Sequence, residues 1–185
     1  DAAAIAPDAN VWLIDTRAVQ QRIEAIPYVD RASVRRAQFP HPAVELAVTV
    51  RRPADCLRGD GGTVTVDAAA RVLQRGCAVP AAPLVVASAA LPAPGQTVSD
   101  ASVTRLLRDE AILVQAGLGL RRIARDRWAG LEIVDRSGVT VRFGDDADLP
   151  HKAALVGPVR AGIGTRRPVA AIDLRAPATP IVEFR

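Results

Sequence analysis

The sequence predicts an α+β fold: a small helix–strand–strand unit over residues 1–53, then a mixed β-sheet domain with helices on one face over residues 54–185. In some segments apolar residues recur at helical spacing, and in others they alternate with polar residues between turn-forming residues. Since 49% of the residues are hydrophobic and only 3% are aromatic, we expect a core of small aliphatic side chains. No apolar run reaches the roughly 18 residues typical of a membrane span.

The first unit opens with a short amphipathic helix. Asp15 and Thr16 are suited to cap its N-terminus, because their side-chain oxygens can accept backbone hydrogen bonds. Pro27 ends the helix, since proline has no backbone N–H to donate. The apolar stripe expected to face the core consists of Val19, Ile23 and Ile26.

Two strands complete the first unit. The first contains Val34 and is expected to close at Phe39-Pro40. In the second, apolar and polar residues alternate over residues 44–51, which predicts a strand with one buried face. Arg51-Arg52-Pro53 marks the end of the unit. The face predicted to be buried consists of Val44, Leu46, Val48 and Val50.

The larger domain contains two predicted helices and several short strands. The first helix begins at Ser99 or Asp100 and runs to Ala116, before two glycines, and the second is capped by Asp148. Residues 78–98 form a proline-rich connection around a short apolar segment at 84–86. The predicted strands are residues 63–66, 72–74, 121–128, 131–135, 139–143, 169–174 and 181–184.

The last predicted strand, residues 181–184, is expected near an edge of the sheet. Pro177 and Pro180 lie just before it, and proline cannot donate to a β-ladder. An edge strand has unpaired N–H and C=O groups that can accept a strand from another protein. The sequence therefore predicts a possible docking edge at the C-terminal end of the chain.

Two cysteines, Cys56 and Cys77, bear on the compartment of the protein. Neither lies in a Cys-x-x-Cys motif and no histidine stands at ligand spacing, so a zinc site is not expected. In an oxidising compartment the two can form one disulfide, which would stabilise the fold by about 3 kcal/mol. The alternative is a pair of buried free thiols.

The chain is basic, with a formal net charge of +4 and a pI near 10.0. Its arginines are spread widely and are densest in pairs, such as Arg35-Arg36 and Arg121-Arg122. Nucleic-acid binders more often have a basic stripe interleaved with aromatic residues, so no nucleic-acid partner is predicted. Solvated surface arginines are the simplest interpretation, and a basic surface facing anionic lipid or an acidic partner is the alternative.

No grouping of side chains predicts catalysis, a cofactor or a metal site. His41 lies between prolines and His151 opens a helix, and both are interpreted as surface residues. The acidic group at residues 145–148 is better explained by helix capping and a charged turn than by acid–base chemistry or cation binding. Gly162-Ile163-Gly164 lacks the context of a phosphate-binding loop. We therefore predict that the protein is not an enzyme.

The two tryptophans, Trp12 and Trp128, are interpreted as core residues rather than as hot spots of a binding surface.

Several strings, in their order along residues 10–185, resemble the FtsQ/DivIB family of bacterial cell-division proteins. NVWLIDTRAVQQRIEAIPYVDRASVRR is similar to the POTRA domain of that family, and Arg51-Arg52-Pro53 resembles its Glu-Arg-x-Pro corner. TVTVDAAARVL resembles the following hairpin, although alanine stands where glycine is common. LEIVDRSGVTVRFG, HKAAL and AIDLRAP resemble the β-domain.

The resemblance implies a non-enzymatic scaffold of the divisome that couples septal cell-wall synthesis to division. It implies a single-pass protein of the cell membrane with this region outside the cytoplasm. It implies FtsB/DivIC-like and FtsL-like coiled-coil partners, one of which adds a strand to the C-terminal edge. The residues placed at that contact are Asp173, Leu174, Arg175, Ile181, Val182, Glu183 and Phe184.

The resemblance also implies that this sequence is a piece of a longer protein. It begins with Asp1 and has no methionine, and the first strand of a POTRA domain is expected upstream of Asn10. The membrane anchor helix of the family is likewise expected upstream. The alternative is a POTRA-bearing fragment of an outer-membrane assembly or secretion protein. That class would require tandem POTRA repeats or the alternating pattern of a barrel. A cell-envelope enzyme, the third class, would need a nucleophile or a metal cluster.

Overall fold

The computed structural model describes residues 3–6, 9–37, 41–79, 84–87, 90–164 and 168–185. The predicted strand end at Phe39-Pro40 lies outside these ranges. The described chain contains three helices and eleven strands, arranged as one two-stranded sheet and one nine-stranded sheet. The α+β class predicted from the sequence is thereby confirmed.

The N-terminal unit is built on one capped helix. Helix α1 (Thr16–Glu24) has Asp15 as its N-cap, whose carboxylate accepts hydrogen bonds from the backbone N–H groups of Arg17 and Ala18 at 3.0 Å each. These bonds satisfy two of the helix-end donors that otherwise have no partner. The small core of this unit consists of Val19, Ile23, Val29 and Ala32.

The two-stranded sheet pairs β1 (Val29–Ala37) with β2 (Ala43–Val50) in antiparallel register. Ala32 lies opposite Val48 and Val34 lies opposite Leu46, so these residues share the sheet face against which α1 packs. The prediction that the apolar face of β2 is buried is wrong. Its Leu46, Val48 and Val50 are 46–62% exposed, because α1 lies over β1 and does not extend across β2.

The larger domain is a nine-stranded mixed sheet with two helices, α2 (Ala101–Gln115) and α3 (Leu149–Ile163). Its spatial order is β11-β10-β9-β8-β7-β6-β3-β4-β5. The strands are β3 (Pro53–Gly59), β4 (Gly62–Asp67), β5 (Val72–Arg75), β6 (Leu84–Val86), β7 (Leu120–Arg125), β8 (Leu131–Asp135), β9 (Thr140–Gly144), β10 (Val169–Asp173) and β11 (Ile181–Phe184).

Helices α2 and α3 each connect two parallel strands of this sheet. Strand β6 pairs in parallel with β7 across α2, and β9 pairs in parallel with β10 across α3. Parallel neighbours need such a crossover, because a tight turn can join only antiparallel strands. The two helices contact each other and pack into one apolar cluster with the sheet. A row of paired, buried side chains runs across the sheet in that cluster: Leu57, Val85, Ile123, Ile133, Val141 and Ile172.

Strand β3 was not predicted from the sequence, and Pro53, placed at the end of the first unit, begins it. Its consecutive residues Cys56 and Leu57 are both fully buried, on opposite faces of the sheet. Such a strand shows no alternation of apolar and polar residues, which is the pattern that reveals half-buried strands. Cys56 forms a disulfide with Cys77, with 5.4 Å between the Cα atoms.

The β5 edge of the sheet is covered by other parts of the chain. Backbone hydrogen bonds join Val72 to Gln96 and to Gly95, at 2.8 Å each, so residues 95–98 run along this edge. The N-terminal unit also reaches this end, since the Tyr28 hydroxyl donates a 2.7 Å hydrogen bond to the Gln74 side chain. These contacts cover the start of β5 and bring the N-terminal unit against Gln74.

Arg51 links the N-terminal unit to the sheet. Its guanidinium lies 2.7 Å from the Asp30 carboxylate in β1 and 2.8 Å from the Asp67 carboxylate in β4. Burial acts to raise the pKa of Asp67, but hydrogen bonds from Arg51 and from two backbone N–H groups outweigh it and hold that pKa below its ordinary value. Arg51 therefore compensates the charge of a largely buried carboxylate.

Among the described residues, no helix has the length and apolar character required to cross a membrane.

Candidate functional site

Strand β11 is the outermost strand at the other edge of the sheet. It pairs antiparallel with β10, with Val182 opposite Ile172 and Ile181 opposite Asp173. In the described part of the chain, no strand lies on its outer side. Ile181 is 63% exposed and Phe184 is 44% exposed. The C-terminal strand therefore combines an uncovered edge with exposed apolar side chains.

The three residues at the end of β10 have different roles. Leu174 is fully buried, and its N–H donates to the Arg142 carbonyl at 2.8 Å, so its side chain belongs to the core and not to an exposed contact surface. Asp173 is also largely buried and accepts hydrogen bonds from the guanidinium of Arg175 at 2.5–3.0 Å. Only Arg175 is mainly exposed, with 59% of its side chain accessible.

The pairing with Arg175 determines the charge state of Asp173. The hydrogen bonds from Arg175 are the strongest influence, and they hold the pKa of Asp173 below its ordinary value despite burial. The same carboxylate keeps Arg175 charged by raising its pKa. Arg175 is thus held in one orientation beside the edge strand while most of its side chain stays accessible.

A row of charges extends from β8 to β11 on the face of the sheet opposite Ile172. Arg142 of β9 lies 2.6 Å from the Glu183 carboxylate of β11 and 3.6 Å from the Glu132 carboxylate of β8. The hydrogen bond with Glu183 raises the pKa of Arg142. Glu183 is half exposed, so water can solvate its carboxylate when the ion pair with Arg142 is broken. Separating the two side chains would therefore leave no buried, unpaired carboxylate at Glu183.

A cavity of about 400 Å³ lies beside Arg175. Its wall includes Arg105 of α2, Trp128 in the β7–β8 turn and Asp146 in the β9–α3 turn. Gly144 shapes one side of it, because a Cβ at this position would lie 2.9 Å from Cγ of Arg175. Arg175 can pack against the backbone of residue 144 only because this residue is a glycine.

The prediction that Trp12 and Trp128 are core residues is wrong. Trp128 is 75% exposed, and Trp12 is more than half exposed. The Arg127 guanidinium lies 4.9 Å from the centre of the Trp128 ring, a cation–π contact. An exposed tryptophan next to arginines and a cavity has the composition of a protein-binding hot spot.

Three aspartates in or near this cavity, Asp109, Asp145 and Asp146, are engaged in ion pairs. Arg125 lies 2.6 Å from the Asp109 carboxylate and 3.2 Å from that of Asp146. Burial acts to raise the pKa of Asp146, but hydrogen bonding and Arg125 outweigh it and lower that pKa. Asp145 lies 2.6 Å from the buried Lys152 ammonium group.

Asp148 stands at the N-cap position of α3 in a left-handed conformation, but its side chain makes no capping hydrogen bond. The structure thus agrees with a charged turn at residues 145–148 and corrects the predicted capping by Asp148. His41 and His151 are exposed, and no group of three or more potential metal ligands occurs among the described residues.

The sequence analysis missed Arg142 and the arginines around Asp146. One signal was available for Arg142: it alternates with the apolar Val141 and Phe143 in a predicted strand, which assigns it to the opposite face. For Arg125, at the end of β7, and Asp146, in the turn between β9 and α3, the sequence contains no comparable signal.

Comparison with known proteins identifies the N-terminal region. Residues 1–51 match the family described as POTRA domain, FtsQ-type. No curated protein matches the chain. The match covers α1, β1 and β2, the small unit in which the sequence resemblance was most specific. The first 51 residues of this chain are therefore an FtsQ-type POTRA region, as found in the FtsQ/DivIB family.

Proposed function

We propose that this protein is a non-enzymatic scaffold of the bacterial divisome that recruits coiled-coil partners of the FtsB/DivIC and FtsL type. The FtsQ-type POTRA match over residues 1–51 supports a role among cell-division scaffolds. The observation that carries the proposal is the uncovered β11 edge at the end of a sheet whose other edge is closed. An edge strand, even one of four residues, has backbone N–H and C=O groups that can pair with a strand of another protein.

The proposed mode of binding is strand addition to β11. A partner strand would form backbone hydrogen bonds along Ile181–Phe184, and these bonds supply affinity with little dependence on sequence. Specificity would come from side chains that alternate along the partner. One set would contact the face that carries Ile181 and the other set the face that carries Phe184, since both side chains are exposed.

Arg175 and the neighbouring cavity favour an acidic partner residue close to the added strand. The guanidinium is exposed and oriented by Asp173, and Arg105 contributes a second cation to the cavity wall. Trp128 at the same cavity supplies an apolar surface that would become buried on binding. Complementary charge of this kind contributes more to specificity and association rate than to affinity.

The proposed location is the outer side of the cell membrane, with an anchor helix upstream of the sequence given. A structural disulfide such as Cys56–Cys77 persists in oxidising, extracytoplasmic compartments and is rare in the cytosol. The disulfide and the FtsQ-type POTRA region therefore support the same assignment.

A charged substitution in the edge strand tests the proposal. Val182→Lys places a charge in the middle of β11, and we expect at least tenfold weaker capture of an FtsB/DivIC-type peptide in a pull-down, about 1.4 kcal/mol. Val50→Lys, at an exposed strand valine in the other sheet, is the control for adding a lysine. Because Val182 is partly buried, the free energy of unfolding of Val182→Lys is also compared with that of the wild type. Circular dichroism would verify that both variants are folded. Undiminished capture by folded Val182→Lys would exclude the β11 edge as the site.

A further inference from the structure

Helix α2 carries a buried glutamate without a cationic partner. Glu110 is only 5% exposed, and its carboxyl group is hydrogen-bonded to the half-buried carboxyl group of Asp55 in β3. Among the described residues, neither carboxyl group takes part in an ion pair. Burying a carboxylate without compensation is unfavourable, so this contact needs a physical explanation.

The preceding residue of the helix shows the ordinary solution. Asp109 is 1% exposed, yet its carboxylate lies 2.6 Å from the Arg125 guanidinium. The cation offsets part of the pKa increase that burial causes. Two adjacent acidic residues of α2 are thus buried beside different groups. Asp109 contacts the Arg125 guanidinium, whereas Glu110 contacts the Asp55 carboxyl group.

The charged groups on the elements around α2 are already engaged elsewhere. On α3, Lys152 pairs with Asp145 and Arg160 pairs with Asp135, and on β7 Arg125 pairs with Asp109. On β4, Asp67 is paired with Arg51, and β6 has no charged residue.

The remaining arginines of these elements do not compensate Glu110 either. On α2 itself, Arg105 and Arg108 lie beside Asp146. Arg58 of β3 and Arg121 and Arg122 of β7 are exposed. Asp55 is the one charged group that affects the pKa of Glu110.

Two carboxyl groups in contact at a buried position cannot both be ionised, so one of them keeps its proton and donates it to the other. Burial, and then the charge of Asp55, raises the pKa of Glu110 to about 8. Burial also raises the pKa of Asp55, although its hydrogen bond with Glu110 acts in the opposite direction. Near neutral pH, the protonated Glu110 therefore donates its O–H to the Asp55 carboxylate.

We propose that Asp55 and Glu110 form a proton-dependent latch between helix α2 and strand β3. With one shared proton, the pair is a hydrogen bond that holds the helix to β3, the third strand from the β5 edge. Loss of that proton leaves two carboxylates in contact, and their repulsion loosens α2. The inference is independent of the partner-binding function, since it concerns neither β11 nor the POTRA region.

The sign of the pH dependence follows from the direction of the pKa changes. Both pKa values are higher in the folded than in the unfolded protein. The stabilisation is complete below the ordinary pKa values of 3.8 and 4.5, and it is lost as the pH rises through about 8. A carboxylate paired with arginine, such as Asp173, gives the opposite dependence.

Equilibrium urea unfolding of the whole chain from about pH 5 to about pH 9 tests the latch. For the wild type, we expect the folding equilibrium constant to fall by roughly two orders of magnitude. Glu110→Gln keeps a hydrogen-bond donor for Asp55 and removes the titrating group, so we expect its curve to be nearly flat. Glu45→Gln, at an exposed position in β2, is the control and should retain the wild-type dependence.

A second measurement covers the case in which Glu110→Gln does not fold. Carboxyl carbon NMR of the wild-type protein should show one of the two groups titrating well above the range of ordinary carboxyl groups. Amide exchange should become faster in α2 than in α3 over the same pH interval. Titration of both groups at ordinary acidic values, or equal pH dependence of wild type and folded Glu110→Gln, would overturn the proposal.

Discussion

The two edges of the nine-stranded sheet are treated in opposite ways. At the β5 edge, residues 95–98 form backbone hydrogen bonds with the strand, and Tyr28 of the POTRA region contacts Gln74. At the β11 edge, the described chain adds no further strand, and Ile181 is exposed. The chain itself covers part of one edge, the closed edge, and adds no described strand to the other, the open edge.

The difference extends to the interactions that stabilise each end. Near the closed edge are the Cys56–Cys77 disulfide and the buried ion pair of Arg51 with Asp67. Near the open edge, the ion pairs of Glu183 with Arg142 and of Asp173 with Arg175 each include a side chain that is half exposed or more. We infer that stability is concentrated at the closed end and that the open end remains adaptable. Three substitutions test this inference.

Removing the disulfide should have the largest effect. Replacing Cys56 and Cys77 by serine releases a link across a sequence separation of 21 residues, and we expect a loss of about 3 kcal/mol in the free energy of unfolding. Urea denaturation of both proteins measures it. Reductant should destabilise the wild type and leave the double variant unchanged. A loss no larger than that of an open-end substitution would contradict the comparison.

Replacing Arg51 should have the next largest effect. Arg51→Leu leaves the Asp67 carboxylate buried without its cation, and we expect a loss of about 2 kcal/mol near neutral pH. Arg52→Leu, at the adjacent exposed position, is the control. Because Arg51 lowers the pKa of Asp67, its stabilisation is present above that residue's ordinary pKa and is lost as the pH falls through the lowered value. A difference that persists at strongly acidic pH would exclude this ion pair as the cause.

The smallest effect is expected at the open end. Glu183→Gln removes a half-exposed partner of Arg142, and we expect a change below about 1 kcal/mol that disappears at high salt. Thermal unfolding at low and high ionic strength provides the measurement, with Glu45→Gln as an exposed control. A loss comparable to that of Arg51→Leu would show that the open end is as strongly stabilised as the closed one.

Local signals predicted much of the fold. The capping aspartate before α1 and the prolines before β11 each act through the backbone of their own segment, so they can be recognised from a short stretch of sequence. The edge position of β11 followed from Pro177 and Pro180 alone. The docking assignment itself rests on the resemblance and remains a proposal.

Features that depend on distant parts of the chain were not predictable. The alternation in β2 indicates which residues share a face, but not that α1 stops short of that face. Strand β3 is buried on both sides by segments far away in sequence, so its residues show no period. The carboxyl pair of Asp55 and Glu110 joins residues of β3 and α2 that are 55 positions apart, and nothing in either segment alone indicates it.

The strand order has a consequence for the time at which the protein becomes competent to bind. Strand β11 follows all the other described strands of its sheet in sequence and is outermost at its edge. It needs β10, which in turn reaches β9 only after α3 has crossed over. We therefore expect that an unfinished or truncated chain does not present the edge at all, so that a partner can recognise only molecules whose sheet is complete.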